Sequence, residues 1–350
     1  MIVGNMRFRI LLGIAVGSLL LCAAVIVTSH LAKDSTLWSA PAGERIVGLQ
    51  SGSQPGHIFA ISERSGDGEW VLREIDRRGN TRVIASGHGH PQSTGSLSGL
   101  SWDGNKLLIG LIHTRQMPRR TVVECDVRDG STVPVEGIAG ATTFNLCQPY
   151  SPRGDYLLLT GAYGKSGGSH GVWMINRRLK RFVRVSRDVR SIHSISWSSR
   201  GRAFVYFGST GRLLGGNPSA LATVAWLPTG SIGFVEPAGD RVLVVRRVGS
   251  STEIRCVDMR GQHQRVVYRT TSTAVPITLR YSDWGGTVVD LIGPGSCPVL
   301  VAPDGRARTC AAGCGSRLVP GVAIMERNVL VTIDLGQGTK PDRLLKMLVR

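Results

Sequence analysis

One short pattern recurs along this chain and limits what it can fold into: a glycine-containing turn followed at once by an apolar run. It stands at "SWDGNKLLIGL" from residue 101, "YSPRGDYLLL" from 150, "WSSRGRAFVYFG" from 197, "EPAGDRVLVV" from 236 and "SDWGGTVVDLIG" from 282. The turn glycines Gly104, Gly154, Gly201, Gly239 and Gly286 fall 50, 47, 38 and 47 residues apart. A second turn follows 19 to 29 residues later in each unit, in "ECDVRDGSTVPVE", "MINRRLKRFVRV", "AWLPTGSIGFVE", "CVDMRGQHQRVVY" and "VLVAPDGRARTC". One further copy, "EIDRRGNTRVIA", begins at residue 74. Glycine recurs because tight hairpin turns need positive φ, and the β-branched runs on either side supply the paired strands.

Each unit therefore holds four short strands in about 45 residues, the period of a β-propeller blade. The spacing predicts blades near residues 45–86, 95–137, 141–187, 191–236, 238–270 and 274–312. The tail "LVPGVAIMERNVLVTIDLGQGTKPDRLLKMLV" supplies about three more strands, and "STLWSAP" near residue 36 can supply the fourth. Strands from both chain ends then close the ring, which removes exposed sheet edges. The fold class is all-β, with seven blades expected and six as the alternative, because the fourth and fifth units are irregular. An apolar content of 42% and 45 glycines agree with many short strands joined by tight turns.

The "YSPRG", "SWDG", "WSSRG" and "APDG" turns resemble the Ser-Pro-Asp-Gly signature of repeats in TolB-like and WD40-like propellers. The resemblance covers nearly the whole chain after residue 45 and is to a repeat class. It implies a cell-envelope interaction module, although related propellers also occur as enzyme domains. The chain has no room for the α/β domain that precedes the propeller in TolB itself.

The first 44 residues read separately. Residues 1–9 carry Arg7 and Arg9, and Ile10 to Val27 form 18 residues without a charge, long enough to span a bilayer as a helix. The flanking charge places the N-terminus inside, so a signal anchor over residues 10–28 would put the rest outside the cytoplasm. Residues 29–44 are then a linker with the ring-closing strand, and 45–350 the propeller domain. Two alternatives stay open: a secreted chain after signal cleavage, and a lipoprotein signal ending at Cys22, which the apolar run beyond it disfavours.

Outside the cytoplasm disulfides become the default. Apart from Cys22 six cysteines remain, Cys125, Cys147, Cys256, Cys297, Cys310 and Cys314, and all are candidate disulfide partners with connectivity open. A zinc site at Cys297, Cys310 and Cys314 is disfavoured by the absence of a CxxC pair or a nearby histidine.

The sequence offers no credible catalytic constellation. Gly164 to Gly168 fit GxSxG but lie between two strands of one blade, with no helix pattern following. The "GKS" there has Leu159 where a phosphate loop needs glycine. His88 and His90 in "GHGHP" could bind a metal and read more simply as a linker between blades. Asp103, Asp155, Asp283 and Asp304 read as turn formers, and Trp102, Trp197 and Trp284 as packing residues between blades. No cofactor and no metal is expected.

The net charge is +18. Between residues 177 and 190 the chain places Arg177, Arg178, Lys180, Arg181, Arg184, Arg187 and Arg190, a candidate patch for an anionic partner. The anchor argues against nucleic acid, which leaves anionic lipid or anionic wall polymer. The expected function is a membrane-anchored, non-catalytic propeller that binds an envelope protein or a ligand. The alternative is a propeller enzyme, a lactonase-like hydrolase or a lyase, with its site in the central channel.

Overall fold

The computed structural model describes residues 36–349 other than 65–67, 93–96, 114–118, 143–145, 164–169, 187–191, 208, 218–219, 228, 230–231, 236–240, 259–262, 272–274, 283, 293–296, 310–320 and 337–339. All regular structure there is β-strand, in seven sheets. The chain begins with β1 (Thr36–Ser39) and enters blade one as β2 (Glu44–Ser51), β3 (His57–Arg64), β4 (Glu69–Asp76) and β5 (Thr81–His88). Blade two has an interrupted inner strand, β6 (His90–Pro91) and β7 (Leu97–Ser98), then β8 (Lys106–His113), β9 (Arg119–Asp126) and β10 (Thr132–Pro134). Blade three contains β11 (Ile138–Thr142), β13 (Tyr156–Tyr163), β14 (His170–Asn176) and β15 (Arg181–Ser186), and β12 (Leu146–Gln148) lies between the first two in sequence. Blade four contains β16 (Ile192–Trp197), β17 (Ala203–Phe207), β18 (Arg212–Asn217) and β19 (Ala220–Trp226). Blade five is β20 (Ile232–Val235), β21 (Arg241–Val248), β22 (Ser251–Asp258) and β23 (Gln264–Thr270). Blade six is β24 (Val275–Ser282), β25 (Gly286–Ile292), β26 (Val299–Val301) and β27 (Ala307–Thr309). Blade seven takes β28 (Val322–Glu326), β29 (Val329–Asp334) and β30 (Arg343–Leu348), and β1 pairs with β30 as its fourth strand. The fold is a seven-bladed β-propeller.

The unbroken apolar runs follow from this stacking, because the second strand of a blade is covered on both faces. In β21, Leu243 and Val245 pack toward Val289, Leu291 and Val299 of blade six. Val242 and Val244 of the same strand pack toward Phe204, Tyr206 and Leu213 of blade four. Alternation of side chains between the faces, with neither face in water, turns a period-two strand into a continuous hydrophobic segment.

Two departures from the sequence expectation stand out. Blade five begins at Ile232, so "SIGFV" is its inner strand and not the outer strand of blade four. β19 and β20 therefore belong to different blades, although the sequence between them reads like a hairpin turn. The other departure is β12, where Leu146 and Gln148 pair in parallel with Ile195 and Ser196 of β16. Inner strands of neighbouring blades run the same way, so a segment that leaves its own sheet can satisfy its backbone on the next one. The Tyr150 to Leu157 bridge returns the chain to blade three.

Residues 1–35, with the expected anchor over 10–28, lie outside the described residues. Among the described residues no helix is long and apolar enough to cross a membrane.

Candidate functional site

The repeated turns position the centre of the ring. In blades two, three and four the turn opens on Ser101, Ser151 and Ser198, whose carbonyls accept from the amides of Gly104, Gly154 and Gly201 at 2.8, 2.8 and 3.0 Å. Each hydroxyl also accepts an amide after the turn: Lys106 at 2.8 Å, Tyr156 at 3.0 Å and Arg202 at 3.2 Å. The glycines sit at φ of 73°, 71° and 74°, a backbone that a side chain would strain. Glycine thus supplies the backbone the turn requires, and serine caps it.

Of these serines Ser101 reaches the mouth of the channel. A cavity of about 50 Å³ lies there, lined by residues that include Gln50, Ser51, Ser101, Trp102, Gln148, Ser282 and Trp284. That is room for about three or four waters. Ser51 Oγ accepts from Ile324 N at 2.9 Å, and Gln148 Nε2 donates to Leu100 O at 3.2 Å. Ser282 Oγ is buried without a hydrogen-bond partner among the described residues. The described lining presents hydroxyls, carboxamides and indoles, and neither a carboxylate nor an imidazole. Such a cavity can hold water or a neutral polar group, and its lining supplies no general base.

The Trp residues serve the same region. Trp102 Nε1 donates to Tyr150 O at 2.9 Å, which ties blade two to blade three, and Trp284 Nε1 donates to Gly52 O at 3.4 Å. Trp197 is buried and stacks on Tyr156 with ring centroids 6.0 Å apart.

One ionic cluster lies between blades two and three. Glu124 accepts from Tyr150 Oη at 3.1 Å and from Arg177 Nη2 at 2.5 Å, and Lys106 Nζ stands 3.5 Å away. Burial and then the Glu124 charge push the Tyr150 phenol well above its ordinary range, so it stays a donor. Every member of this cluster has a partner, and the cluster staples two blades together.

That geometry divides the predicted basic patch. Arg177 is half-buried on Glu124 and lies over the Tyr150 ring at 5.9 Å, and Arg184 lies over Trp173 at 5.6 Å. Arg178, Lys180 and Arg181 are exposed, while Arg187 and Arg190 lie outside the described residues. Of the expected disulfides none is present among the described residues. Cys125 packs in the core between blades one and two, where burial pushes its thiol to about 11. The side chains of Cys147, Cys310 and Cys314 lie outside the described residues.

His90 Nδ1 pairs with Glu63, and His88 is exposed. Among the described residues no group of three metal-ligating side chains forms. Asp103 accepts from Ser101 Oγ at 2.5 Å and from Asn105 N at 3.2 Å, and Asp304 accepts from Arg306 N at 2.9 Å. Both carboxylates thus hold their own turns. Burial raises the Asp103 carboxyl, and the bonds from Ser101 and Asn105 outweigh it, leaving the group below its ordinary value. Asp283 and the Gly164–Gly168 loop lie outside the described residues. The cavity lining was not visible in the sequence, because it gathers residues from blades one, two, three and six.

Fold and cavity together define a seven-bladed propeller with an uncharged described lining at its centre. No family model and no curated protein matches the chain. Among solved structures, the β-propeller domain of the Trilobed protease from Pyrococcus furiosus is similar at 13% identity and a TM-score of 0.58, over 87% of this chain and 95% of that one. That domain is described as having an open velcro topology, whereas here β1 closes on β30. A prolyl endopeptidase is similar at 14% identity and a TM-score of 0.56, over 90% of this chain and 50% of that one. TolB from Acinetobacter baumannii is similar at 15% identity and a TM-score of 0.46, over 63% of this chain, which spans about half of that TolB chain (53%). What the chain shares with the propeller domain of the Trilobed protease and with the prolyl endopeptidase is the propeller fold.

Proposed function

We propose that this protein is a non-catalytic interaction module of the cell envelope, held to the membrane by a signal anchor over residues 10–28, with the propeller outside the cytoplasm. One observation carries the reading: the central cavity, where propeller enzymes would gather reactive groups, has a described lining whose side chains are uncharged, with carboxamides, hydroxyls and indoles as its polar groups. The apolar run from Ile10 to Val27 supplies the membrane part of the argument. The ring faces and the outer strands remain for a partner protein.

In-cell crosslinking of the tagged full chain with mass spectrometry tests this, beside a version carrying a cleavable signal in place of residues 1–28. One recurrent, salt-resistant partner supports the module. Absence of any partner above background moves the weight to a channel ligand or to the alternative, a propeller hydrolase or lyase.

A further inference from the structure

The strands of a blade alternate in direction, so the turn joining its first two strands and the turn joining its last two lie at the same end. This end of the ring is basic. Arg78 lies on the outer turn of blade one, Arg178 and Lys180 on that of blade three, and Arg153, Arg200 and Arg327 on the inner turns of blades three, four and seven. All six are exposed. The acids on the described turns of this end are Asp103, Asp129, Asp155 and Asp304, and three of them accept amides of their own turns. Acids also stand at the neighbouring strand ends: Asp76 is engaged by the Arg78 and Asn80 amides, Asp126 by Arg128 and Asp258 by His263, while Glu326 stands beside Arg327.

The chain enters the propeller at this same end. Ala40 N donates to Asp342 O at 2.8 Å, which sets the finish of β1 beside the start of β30 and makes the pair antiparallel. The start of β1 therefore lies where β30 finishes, and Val349 N there donates to Asn328 O at 3.0 Å, on the inner turn of blade seven. The outer turn of blade one agrees: a β-carbon on Gly79 would collide with the Leu37 carbonyl, and Lys346 Nζ donates to Arg77 O at 2.5 Å.

We infer that this basic end of the propeller docks face-on against an anionic bilayer surface, the same membrane that holds the anchor. The inference rests on the proposed anchor and adds an orientation to it. Residues 29–35 reach at most about 25 Å when extended, so the end that receives them stays close to the headgroups. Guanidinium and ammonium groups spread over blades one, three, four and seven then meet lipid phosphates across a plane, and a freely diffusing polymer would gain nothing from the entry point.

The test reconstitutes the full chain in nanodiscs of phosphatidylcholine, with or without about 30% phosphatidylglycerol. A fluorescent residue replaces either Asp155, at the basic end, or Ser250, at the opposite end, and spin-labelled lipid headgroups act as quencher. Quenching at position 155 should exceed that at 250 by about threefold in anionic discs, and should fall toward the neutral-disc value in high salt. The combined Arg78→Glu, Arg153→Glu, Arg178→Glu and Arg200→Glu variant should lose that difference, with its denaturation midpoint as the check on folding. Equal quenching at both positions in discs that contain the chain overturns the docking. Chain recovered outside the discs overturns the anchor itself, a separate result. A signal at 155 that responds to soluble polyphosphate and not to anionic discs assigns the face to a polymer and also overturns the proposal.

Discussion

Two seams of the ring are built differently. Where blade seven meets blade one, residues almost 300 positions apart are joined by directed bonds. Ile46 N donates across the seam to Asp342 Oδ2 at 2.9 Å, and the other oxygen of that carboxylate, Oδ1, is held by Gly336 N of its own blade at 2.9 Å. On the blade-one side the buried Glu44 carboxylate takes two bonds from Arg73, at 2.6 and 3.0 Å, and one from Ser62 at 2.6 Å, and the Arg73 so held lies across the seam over the Trp38 ring of the closing strand. Where blade three meets blade four, the joint is mostly apolar: Leu157, Leu159, Ile195, Trp197 and Val205 form one cluster, with β12 laid across as a parallel strand. Neighbours in sequence meet whenever their hairpins fold, so packing suffices. Chain ends that must find each other gain from groups that accept only one geometry.

The contrast can be broken by experiment, beginning where the largest effect is expected. Arg73→Ala takes both short bonds from the buried Glu44 carboxylate, leaves it only Ser62 and the distant Arg64 at 4.0 Å, and should cost about 3 kcal/mol in urea denaturation. The double variant Glu44→Leu/Arg73→Met should recover most of that loss, since an apolar pair of similar volume needs no partner. Asp342→Ala strips the acceptor from two amides and should cost about 2–3 kcal/mol by the same measurement. At the other seam Ile195→Val should cost about 1 kcal/mol, the usual cost of deleting one buried methylene. A larger loss from Ile195→Val than from Arg73→Ala would reverse the comparison. Ser151→Ala, which removes a turn cap inside one blade, should cost at most about 1 kcal/mol.

Acid sharpens the same contrast. Burial pulls the Glu44 carboxyl upward, and the bonds from Arg73 and Ser62 more than offset it, so the folded group lies below its ordinary value of 4.5. A depressed carboxylate adds stability above its unfolded value, and that stability is lost as pH falls from there through the folded value. Denaturation midpoints should therefore fall more steeply below pH 4.5 in the wild type than in Glu44→Gln. Ile195→Val should keep the wild-type pH profile.

Much of this architecture was legible in the residues. The glycine turns with their following apolar runs marked the blades and counted seven, because positive φ and strand pairing are local demands. Two features escaped for local reasons too: the sequence between β19 and β20 has hairpin chemistry although those strands belong to different blades, and β12 looks like the remainder of an inner strand. The site was less legible. Arg177 and Arg178 are adjacent and equally basic in sequence, yet one is stapled to Glu124 and the other is exposed. Nothing in the spacing of Gln50, Ser101, Gln148 and Ser282 announces that they face one cavity, although the serine that opens each turn was a signal available to find two of them.

The sequence by itself determined the repeat, the turn chemistry and the strand count, since each depends on residues within a hairpin's reach. Only the tertiary structure decided which charges are spent, which end of the ring is basic and where the chain enters it. Those properties depend on how seven sheets are stacked, and that brings together residues no local rule relates.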